Sequence, residues 1–269
     1  MQIEGPGLHT GKPGAVRFTR REGPVVLRSG GKDFMMTELR VVDTTRSTTV
    51  ADTSGSVRIA TVEHVLAALG GLGIRSGVAI EIEGPEVPLA DGAARRYVEA
   101  LRALGLASCA PRLRVVRDGV VNVGKRRYEL RRLARHDAVE LEIEIDFADA
   151  RITKAARWSG DAEDFAARIA GARTFGFEHE LEDLLARGLA SHVTPESVVV
   201  IGAEHILSRG EAFTADEPAR HKLLDLIGDL YLHGGPPRGA VRAIRPGHAA
   251  THEVMRRALE EGLVAYDAG

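Results

Sequence analysis

The sequence predicts an α+β fold of two similar domains, each a β-sheet layer with helices, packed face to face with the active site between them. Three observations indicate this fold. The chain has 269 residues, enough for two ordinary domains that each bury a core. Each half shows strand-type and helix-type patterns in the order strands, helix, strand, helix. The stretch GLASCAPR at 105–112 resembles a linker, which predicts domains at 1–107 and 112–269.

The first half opens with a Gly/Pro-rich turn and continues with short strands. The helical pattern TVEHVLAAL at 61–69 is followed by Gly70 and Gly71, and we expect it to stop there because glycine commonly ends a helix. Apolar residues then alternate in GVAIEIE, which is typical of a half-buried strand. The remaining predicted elements are strands at 16–19, 25–28, 48–51, 57–60 and 78–82, and a helix at 93–104.

The second half repeats this order. Its most regular strand is VELEIEIDF, where apolar and polar residues alternate strictly. SVVVIG predicts a buried strand, and ARHKLLDLIGDLY predicts a long helix. The predicted strands are 113–117, 120–123, 127–131, 138–147, 197–202 and 239–245, and the predicted helices are 161–170, 178–187, 219–231 and 249–262.

Composition excludes several classes of protein. The chain has 36 basic and 38 acidic residues, so it lacks the electrostatic footprint of a nucleic-acid-binding protein. Its single cysteine, Cys109, excludes a disulfide framework and fits a reducing compartment. No signal peptide follows Met1, and no apolar run approaches the roughly 20 residues of a membrane span. We therefore expect a cytoplasmic monomer with no transmembrane segment and no nucleic-acid partner.

The predicted helix at 219–231 carries a pattern that suits a metal site. At about 100° per residue, His221, Asp225 and Asp229 share one face, opposite a broad apolar stripe. His and Asp four residues apart can supply two ligands from one rigid helix. A stable zinc site needs a third ligand, and His64 is the best donor. Such a set leaves a fourth position open for water, as a catalytic zinc requires.

Glu63 stands next to His64 without being a ligand, so it could take a proton from that water. The whole pattern of His221, Asp225 and Asp229 also has an alternative interpretation without a metal. From spacing alone, a helical HxxxD with a polar face is more often a solvated surface or a capped ion pair.

Four further residues could take part in the chemistry. Gly247 in RPGHA gives the backbone freedom, so the ring of His248 could project into a cleft as a general acid, its charge favoured by a carboxylate such as Asp229. A capping or surface histidine is the alternative. The hydroxyl of Thr174 in ARTFGF could donate to an oxyanion, although the same segment could simply pack its phenylalanines in the core. Lys222 and Arg245 could hold a phosphate, but exposed cations are common.

Six blocks of the sequence together resemble one family, the UDP-3-O-acyl-N-acetylglucosamine deacetylases of lipid A synthesis. They occur in the family's order and extend over most of the chain. The blocks are GLHTG at 7–11, VRIATVEHVLAALGGLGI at 57–74, GPEVPLADG at 84–92, ARTFGFEHELEDLLARGLA at 172–190, ARHKLLDLIGDLY at 219–231 and GHA at 247–249.

The resemblance implies a zinc-dependent amidase that hydrolyses the N-acetyl group of UDP-3-O-(3-hydroxyacyl)-N-acetylglucosamine. Acetate and the free amino sugar nucleotide would be the products. A His, His, Asp site also accepts iron or cobalt. The resemblance assigns His64, His221 and Asp225 as zinc ligands, Glu63 as general base, His248 as general acid oriented by Asp229, Thr174 as oxyanion donor, and Phe147, Phe175, Lys222, Arg245 and Gly247 as substrate contacts.

Several departures from the family's pattern concern the substrate more than the chemistry. Family members usually have a few more residues and an extra strand before GLHTG. Ala148–Asp149–Ala150 replaces a common Asn-His-Pro, and Ala93 replaces a serine. His192–Val193 stands where a Gly-Gly pair is usual, and Arg46 occupies a usually apolar position near the expected acyl passage.

These changes lead to the hypothesis that the acyl passage is narrowed, shortened or rebuilt. The protein would then prefer a substrate with a shorter acyl chain than usual, or it would be a divergent paralogue. Two rival functions follow from the same residues. One is a zinc deacetylase acting on a different acylated or N-acetylated amino sugar. The other is a sugar-nucleotide-binding homologue without turnover, which would have no use for a complete metal and acid/base set.

Overall fold

The computed structural model describes residues 1–180, Ala186 and 197–267. Its first half contains a five-stranded sheet, a small three-stranded sheet and two helices. A 3₁₀ turn at Met36–Glu38 joins two of the strands. The elements are β1 Gln2–Pro6, β2 Pro13–Pro24, β3 Val26–Ser29, β4 Lys32–Met35, β5 Leu39–Asp43, β6 Thr49–Asp52, β7 Arg58–Ile59, α1 Glu63–Leu72, β8 Ser76–Glu83 and α2 Arg95–Arg102.

The second half contains another five-stranded sheet, a short three-stranded sheet and two long helices. One α-helical turn, Ala162–Asp164, continues as a π-helix over Phe165–Ile169, and Glu178–Glu180 forms a 3₁₀ turn. The remaining elements are β9 Leu113–Val115, β10 Gly119–Val123, β11 Arg126–Arg131, β12 Val139–Glu144, β13 Ala155–Trp158, β14 Phe175–Phe177, β15 Val199–Ile201, β16 Ile206–Leu207, α3 Glu217–Tyr231, β17 Gly239–Ile244, α4 His248–Glu260 and β18 Val264–Tyr266.

The two large sheets have the same topology. The first has the order β1-β2-β8-β3-β4, and the second has β10-β11-β17-β12-β13. In each sheet the central strand is the last one in sequence, and it pairs parallel to only one neighbour, β3 or β12. A helix immediately precedes that central strand in both halves, α1 before β8 and α3 before β17. The α+β class and the similarity of the two halves are therefore confirmed.

The core explains why these elements form. Val78, Ile80 and Ile82 alternate along β8 and are all buried, and β12 shows the same alternation. Every residue of α1 is buried, since the helix lies between α3 and the rest of the core. One continuous apolar cluster includes residues of both halves. No helix in the described part of the chain is long and apolar enough to cross a membrane.

The predicted end of the first helix is wrong. Helix α1 continues through Gly70 and Gly71 to Leu72 and ends at Gly73, whose φ of 68° is left-handed. A Cβ at Gly71 would lie 2.2 Å from the ring of Phe165. The glycine pair therefore serves close packing inside the helix rather than its termination.

Other differences concern short or irregular elements. The helix predicted at 161–170 is the α-to-π segment described above, and the one predicted at 178–187 begins as a 3₁₀ turn. Apart from Ala186, residues 181–187 of that prediction lie outside the described residues. A strand, β1, does precede GLHTG. Residues 105–112 form neither helix nor strand, as expected of a linker. The strands absent from the prediction are β1, β4, β5, β13, β14, β16 and β18.

Candidate metal and catalytic site

Helices α1 and α3 cross in direct backbone contact, and this contact builds the site. A Cβ at Gly228 would lie 2.0 Å from the carbonyl oxygen of Glu63, so the crossing requires glycine at this position. Glu63 and His64 form the first turn of α1 and therefore lie over the face of α3 that carries His221 and Asp225.

Three buried side chains from the two helices converge on one point. The ligand atoms of His64, His221 and Asp225 all lie within 4.8 Å of one another. Asp225 Oδ1 is 3.7 Å from His64 Nε2 and 3.5 Å from His221 Nε2. Ligand atoms on a tetrahedral zinc ion are roughly 3.4 Å apart, so the spacing fits such an ion. The alternative of a solvated helix face is wrong, because all three residues are buried.

Hydrogen bonds prepare His221 and Asp225 for this role. The Nδ1–H of His221 donates to the carbonyl of Ala172 at 3.0 Å, which leaves the Nε2 lone pair directed at the site. Burial lowers the pKa of His221 to about 4, so the ring is neutral as a ligand must be. Lys222 Nζ donates to Asp225 Oδ2 at 2.8 Å and leaves Oδ1 towards the histidines.

Helix α1 contributes His64 and Glu63, and both have a raised pKa, each for a different reason. Burial lowers the pKa of His64, but its interaction with Asp225 and the charge of Glu63 raise that pKa overall. Glu63 is itself buried, and desolvation raises its pKa. The backbone N–H of Thr48 donates to Glu63 Oε2 at 2.9 Å and fixes the carboxyl group. Glu63 thus presents a proton acceptor beside the three ligand atoms.

His248 is neither a surface nor a merely capping residue. Its ring is buried, Nδ1 lies 2.8 Å from Asp229 Oδ2, and Nε2 lies 4.0 Å from Asp225 Oδ2. Burial lowers the pKa of His248, but the charge and hydrogen bond of Asp229 outweigh it and raise the pKa to about 9. The same pair keeps the pKa of Asp229 well below its usual range, although burial opposes this. Asp229 therefore holds a protonated imidazole at neutral pH.

Gly247 is not needed for the conformation that places His248. Its φ of 179° is ordinary extended backbone, and a Cβ there would meet only the Arg126 guanidinium, at 3.6 Å. The expectation that glycine frees the backbone here is wrong. Gly247 also does not line either of the two cavities described below, as far as the described residues define them.

A cavity of about 240 Å³ joins these groups to the surface. Phe147, Phe175 and Phe177 form its aromatic wall, with ring centroids 5.0–6.2 Å apart. Phe175 also meets the ring of His221 edge-on, at 5.9 Å. Thr174 lines the cavity, but its hydroxyl donates to the carbonyl of Gly92 at 2.9 Å. An oxyanion could use that hydroxyl only after this bond is released.

Lys222 and Phe147 also line a neighbouring cleft of about 450 Å³, where Arg245 lies. Arg245 has a left-handed φ of 57° and pairs with Asp146. Lys125 and Arg126 join the same cleft. Sequence reasoning missed these two cations, although the run KRR at 125–127 is visible in the sequence.

His9 and Phe177 are further cavity residues that sequence reasoning missed. His9 belongs to the GLHTG loop, which folds around the buried carboxylate of Glu86. That carboxylate accepts bonds from the backbone N–H groups of His9 and Thr10 and from the hydroxyls of Thr10 and Thr61, at 2.7–3.0 Å. Both ring nitrogens of His9 are buried without a partner among the described residues.

Arg46 lies at the wall of the same cavity. It adopts a left-handed φ of 69°, and its guanidinium forms an ion pair with Glu180 at 3.2 Å. His192 and Val193, the other departure near the expected passage, lie outside the described residues.

Comparison with known proteins identifies the family of the chain. The family model LpxC, UDP-3-O-acyl N-acetylglycosamine deacetylase, matches residues 1–260. Proteins named UDP-3-O-acyl-N-acetylglucosamine deacetylase align over nearly the whole chain. That of Anaeromyxobacter sp. (strain Fw109-5) is 36% identical over 97% of this chain and 86% of its own length. That of Myxococcus xanthus is 34% identical (96% and 84%), and that of Teredinibacter turnerae is 33% identical (99% and 91%). The chain therefore belongs to the UDP-3-O-acyl-N-acetylglucosamine deacetylase family.

Proposed function

We propose that the chain hydrolyses the N-acetyl group of UDP-3-O-(3-hydroxyacyl)-N-acetylglucosamine in lipid A biosynthesis, releasing acetate and the free 2-amino sugar nucleotide. The observation that carries this proposal is the buried set of His64, His221 and Asp225 beside Glu63 and His248 in one cavity. The family model and the relatives, which match nearly the full chain, support the same reaction.

The three buried ligands would hold a zinc ion, the metal on which the family depends. A His, His, Asp donor set also accepts iron or cobalt. Bound zinc polarises an amide carbonyl and makes a water molecule nucleophilic near neutral pH. His221 needs no proton loss to bind it, because burial has already lowered the pKa of its ring to about 4.

Glu63 and His248 supply the proton transfers. Glu63 accepts a proton from the attacking water, and its burial-raised pKa makes it a stronger base than an exposed glutamate. His248 then protonates the departing amine through Nε2, since Asp229 occupies Nδ1 at 2.8 Å. Thr174 would turn its hydroxyl from the carbonyl of Gly92 to the developing oxyanion.

The cleft beside the cavity suits the nucleotide. Lys125, Arg126, Lys222 and Arg245 line it, a group of cations able to bind a diphosphate. The ring of Phe147 borders both the cleft and the cavity and would contact the sugar or the nucleotide, as would Phe175 on the cavity side. Gly247 remains a proposed backbone contact.

The acyl chain would lie in the cavity between the aromatic wall and Arg46. The guanidinium of Arg46 pairs with Glu180 at 3.2 Å, which compensates its charge and holds the two side chains at the cavity wall, where they take up space. We therefore propose a passage that is narrower than usual and a preference for a shorter acyl chain. The second candidate is a paralogue that deacetylates another acylated or N-acetylated amino sugar, and the same ion pair favours it.

The compartment, the oligomeric state and the domain bounds are also part of the proposal. The near balance of 36 basic and 38 acidic residues supports the absence of a nucleic-acid partner. The single cysteine, Cys109, fits a reducing compartment such as the cytoplasm, and a monomer is part of the same proposal. The proposed domains remain 1–107 and 112–269. They are supported by the irregular stretch between them and by the matching strand orders of the two large sheets.

Acetate release by the purified protein, with bound metal quantified, tests the proposal. We expect zinc-dependent turnover of UDP-3-O-(3-hydroxyacyl)-N-acetylglucosamine, which chelation abolishes and added zinc restores. A metal-loaded protein that releases acetate only from other N-acetyl sugars would favour the second candidate. A protein that cannot be loaded with any of the three metals would contradict the site itself.

A further inference from the structure

Two histidines form a hydrogen-bonded pair behind the catalytic site. His252 lies on α4, one helical turn after His248, and His233 lies two residues beyond the end of α3. Nε2 of His233 is 2.9 Å from Nδ1 of His252. The side chain of His252 is only 11% exposed. Neither ring lines the cavity, so neither is placed to touch substrate.

The pair continues directly to Asp229. His252 Nε2 lies 3.3 Å from the hydroxyl of Thr48 and 3.5 Å from Asp229 Oδ1. The Thr48 hydroxyl is 2.6 Å from the same oxygen, Oδ1. Oδ2 of Asp229 is the atom that holds His248. The carboxylate is therefore held on one oxygen by Thr48 and His252 and on the other by His248.

The directions of these hydrogen bonds follow from the chemistry of the groups. An ionised Asp229 can only accept, so Thr48 donates to Oδ1 and its hydroxyl oxygen faces His252. His252 must then carry a proton on Nε2. With a single proton on the His252 ring, its Nδ1 accepts from the Nε2–H of His233. The ring of His233 is itself neutral, because burial lowers its pKa to about 4. All the donors thus point towards one carboxylate.

From this geometry we infer that His252, supported by His233, is a positioning residue that acts on His248 through Asp229. This inference rests on the proposed function, in which His248 delivers a proton. Thr48 and His252 occupy Oδ1 and fix the rotation of the carboxylate, which keeps Oδ2 aligned with Nδ1 of His248. Without His252 only Thr48 holds Oδ1, so the carboxylate and the imidazole that it orients are held less firmly.

Steady-state kinetics of five variants test the inference. His252→Ala is expected to lower kcat about tenfold with KM within about twofold of the parent, because the residue touches no substrate. His252→Gln keeps an N–H donor at the place of Nε2 and should recover most of kcat. Exposed His136→Ala is the control for loss of a histidine elsewhere. His252→Ala should cost nothing further in an Asp229→Ala background, because its effect passes through that carboxylate.

A role in stability alone would behave differently. It would lower kcat by the same factor with or without Asp229, and this result would overturn the inference. So would an unchanged kcat in His252→Ala.

The protonation of His252 provides a readout independent of activity. Side-chain ¹⁵N NMR of the zinc-loaded protein should find the His252 proton on Nε2 and a bare Nδ1, and His233→Ala should shift that Nδ1 resonance. A proton on Nδ1 of a neutral His252 would overturn the inference. If the parent protein shows no deacetylase activity, the proposed function fails, yet the NMR result still decides whether the hydrogen-bonded chain exists.

Discussion

Gly228 of α3 lies against the backbone of Glu63 in α1, so closely that a Cβ at position 228 would stand 2.0 Å from the Glu63 carbonyl oxygen. The atoms concerned are backbone, which cannot swing aside as a flexible side chain can. The distance between the two helices, and with it the spacing of the ligands, therefore depends on a hydrogen atom in place of a methyl group.

Gly228→Ala should separate α1 from α3. We expect a loss of about 3 kcal/mol in the free energy of unfolding and a weaker metal site, because overpacking a close helix crossing forces backbone shifts. Urea unfolding and zinc titration measure both effects. Gly5→Ala is the matched control, since its Cβ would meet only Pro88 at 3.8 Å. Unchanged zinc affinity in Gly228→Ala would contradict the assigned role of this contact.

Glu63→Ala should lower turnover by about 10²–10³-fold, because it removes the proposed proton acceptor. Its zinc content should stay close to that of the parent, since the carboxylate is bonded to Thr48 and not to the ligand set. Acetate release and metal analysis of the same preparation check this. Loss of zinc together with activity would mean that Glu63 holds the metal.

Replacing any one of the three ligands should abolish zinc-linked stabilisation. At a zinc concentration 100 times its dissociation constant, the parent should gain about 2.7 kcal/mol in the free energy of unfolding. His221→Ala and Asp225→Ala should gain close to nothing, and exposed His136→Ala should respond like the parent. Thermal unfolding with and without zinc provides the measurement, and a full response in Asp225→Ala would remove that residue from the site.

Glu86 should make stability depend on acid pH. Burial would raise the pKa of its carboxyl, but hydrogen bonds from His9, Thr10 and Thr61 lower it overall. Because the pKa is lower in the folded chain, this stabilisation is present above the unfolded value of about 4.3 and is lost as pH falls through the folded value.

Glu86→Gln should therefore cost about 2 kcal/mol at pH 7 and flatten the acid limb of the stability curve. Urea unfolding at several pH values from neutral to acid measures both effects. A variant with the slope of the parent would show that another carboxyl is responsible.

Arg46→Leu should shift the acyl-chain preference towards longer chains. Removing the guanidinium removes a charge from the path of a hydrocarbon, and we expect kcat/KM for a fourteen-carbon hydroxyacyl substrate to rise about tenfold relative to a short one. An acyl-length series measures this, with exposed Arg40→Leu as control. A parent protein most active on the fourteen-carbon substrate would contradict the narrowed passage.

The parts of this site that the sequence predicts are those carried by long, regular elements. Helical spacing was enough to put His221 and Asp225 on one face, and the sequence blocks pointed to His64 and Glu63. Hydrogen-bond partners are different, because no local pattern relates Thr48 to Asp229 across 181 positions. The relation exists only once the two halves are packed together.

Short elements escaped prediction for a physical reason. Strand β4 is mostly exposed, and its apolar residues do not alternate. Strand β14 has only three residues, and its aromatic rings pack on the cavity rather than in a sheet core. Gly70 and Gly71 led to a wrong helix end because glycine both terminates helices and allows them to pack closely. At Gly71 the close ring of Phe165 shows that packing is the reason for the glycine.

The matching strand orders have a consequence for how the reaction centre is divided. Helices α1 and α3 precede equivalent central strands, so their contact lies where two halves of similar topology meet. A symmetric dimer must repeat every residue on both sides of its axis. Two halves of one chain are under no such rule, and in the proposed mechanism the first half contributes Glu63 and His64 while the second contributes His221, Asp225 and His248. Two halves that share a topology but differ in their residues can therefore form one directional centre, where symmetry would impose two half-centres.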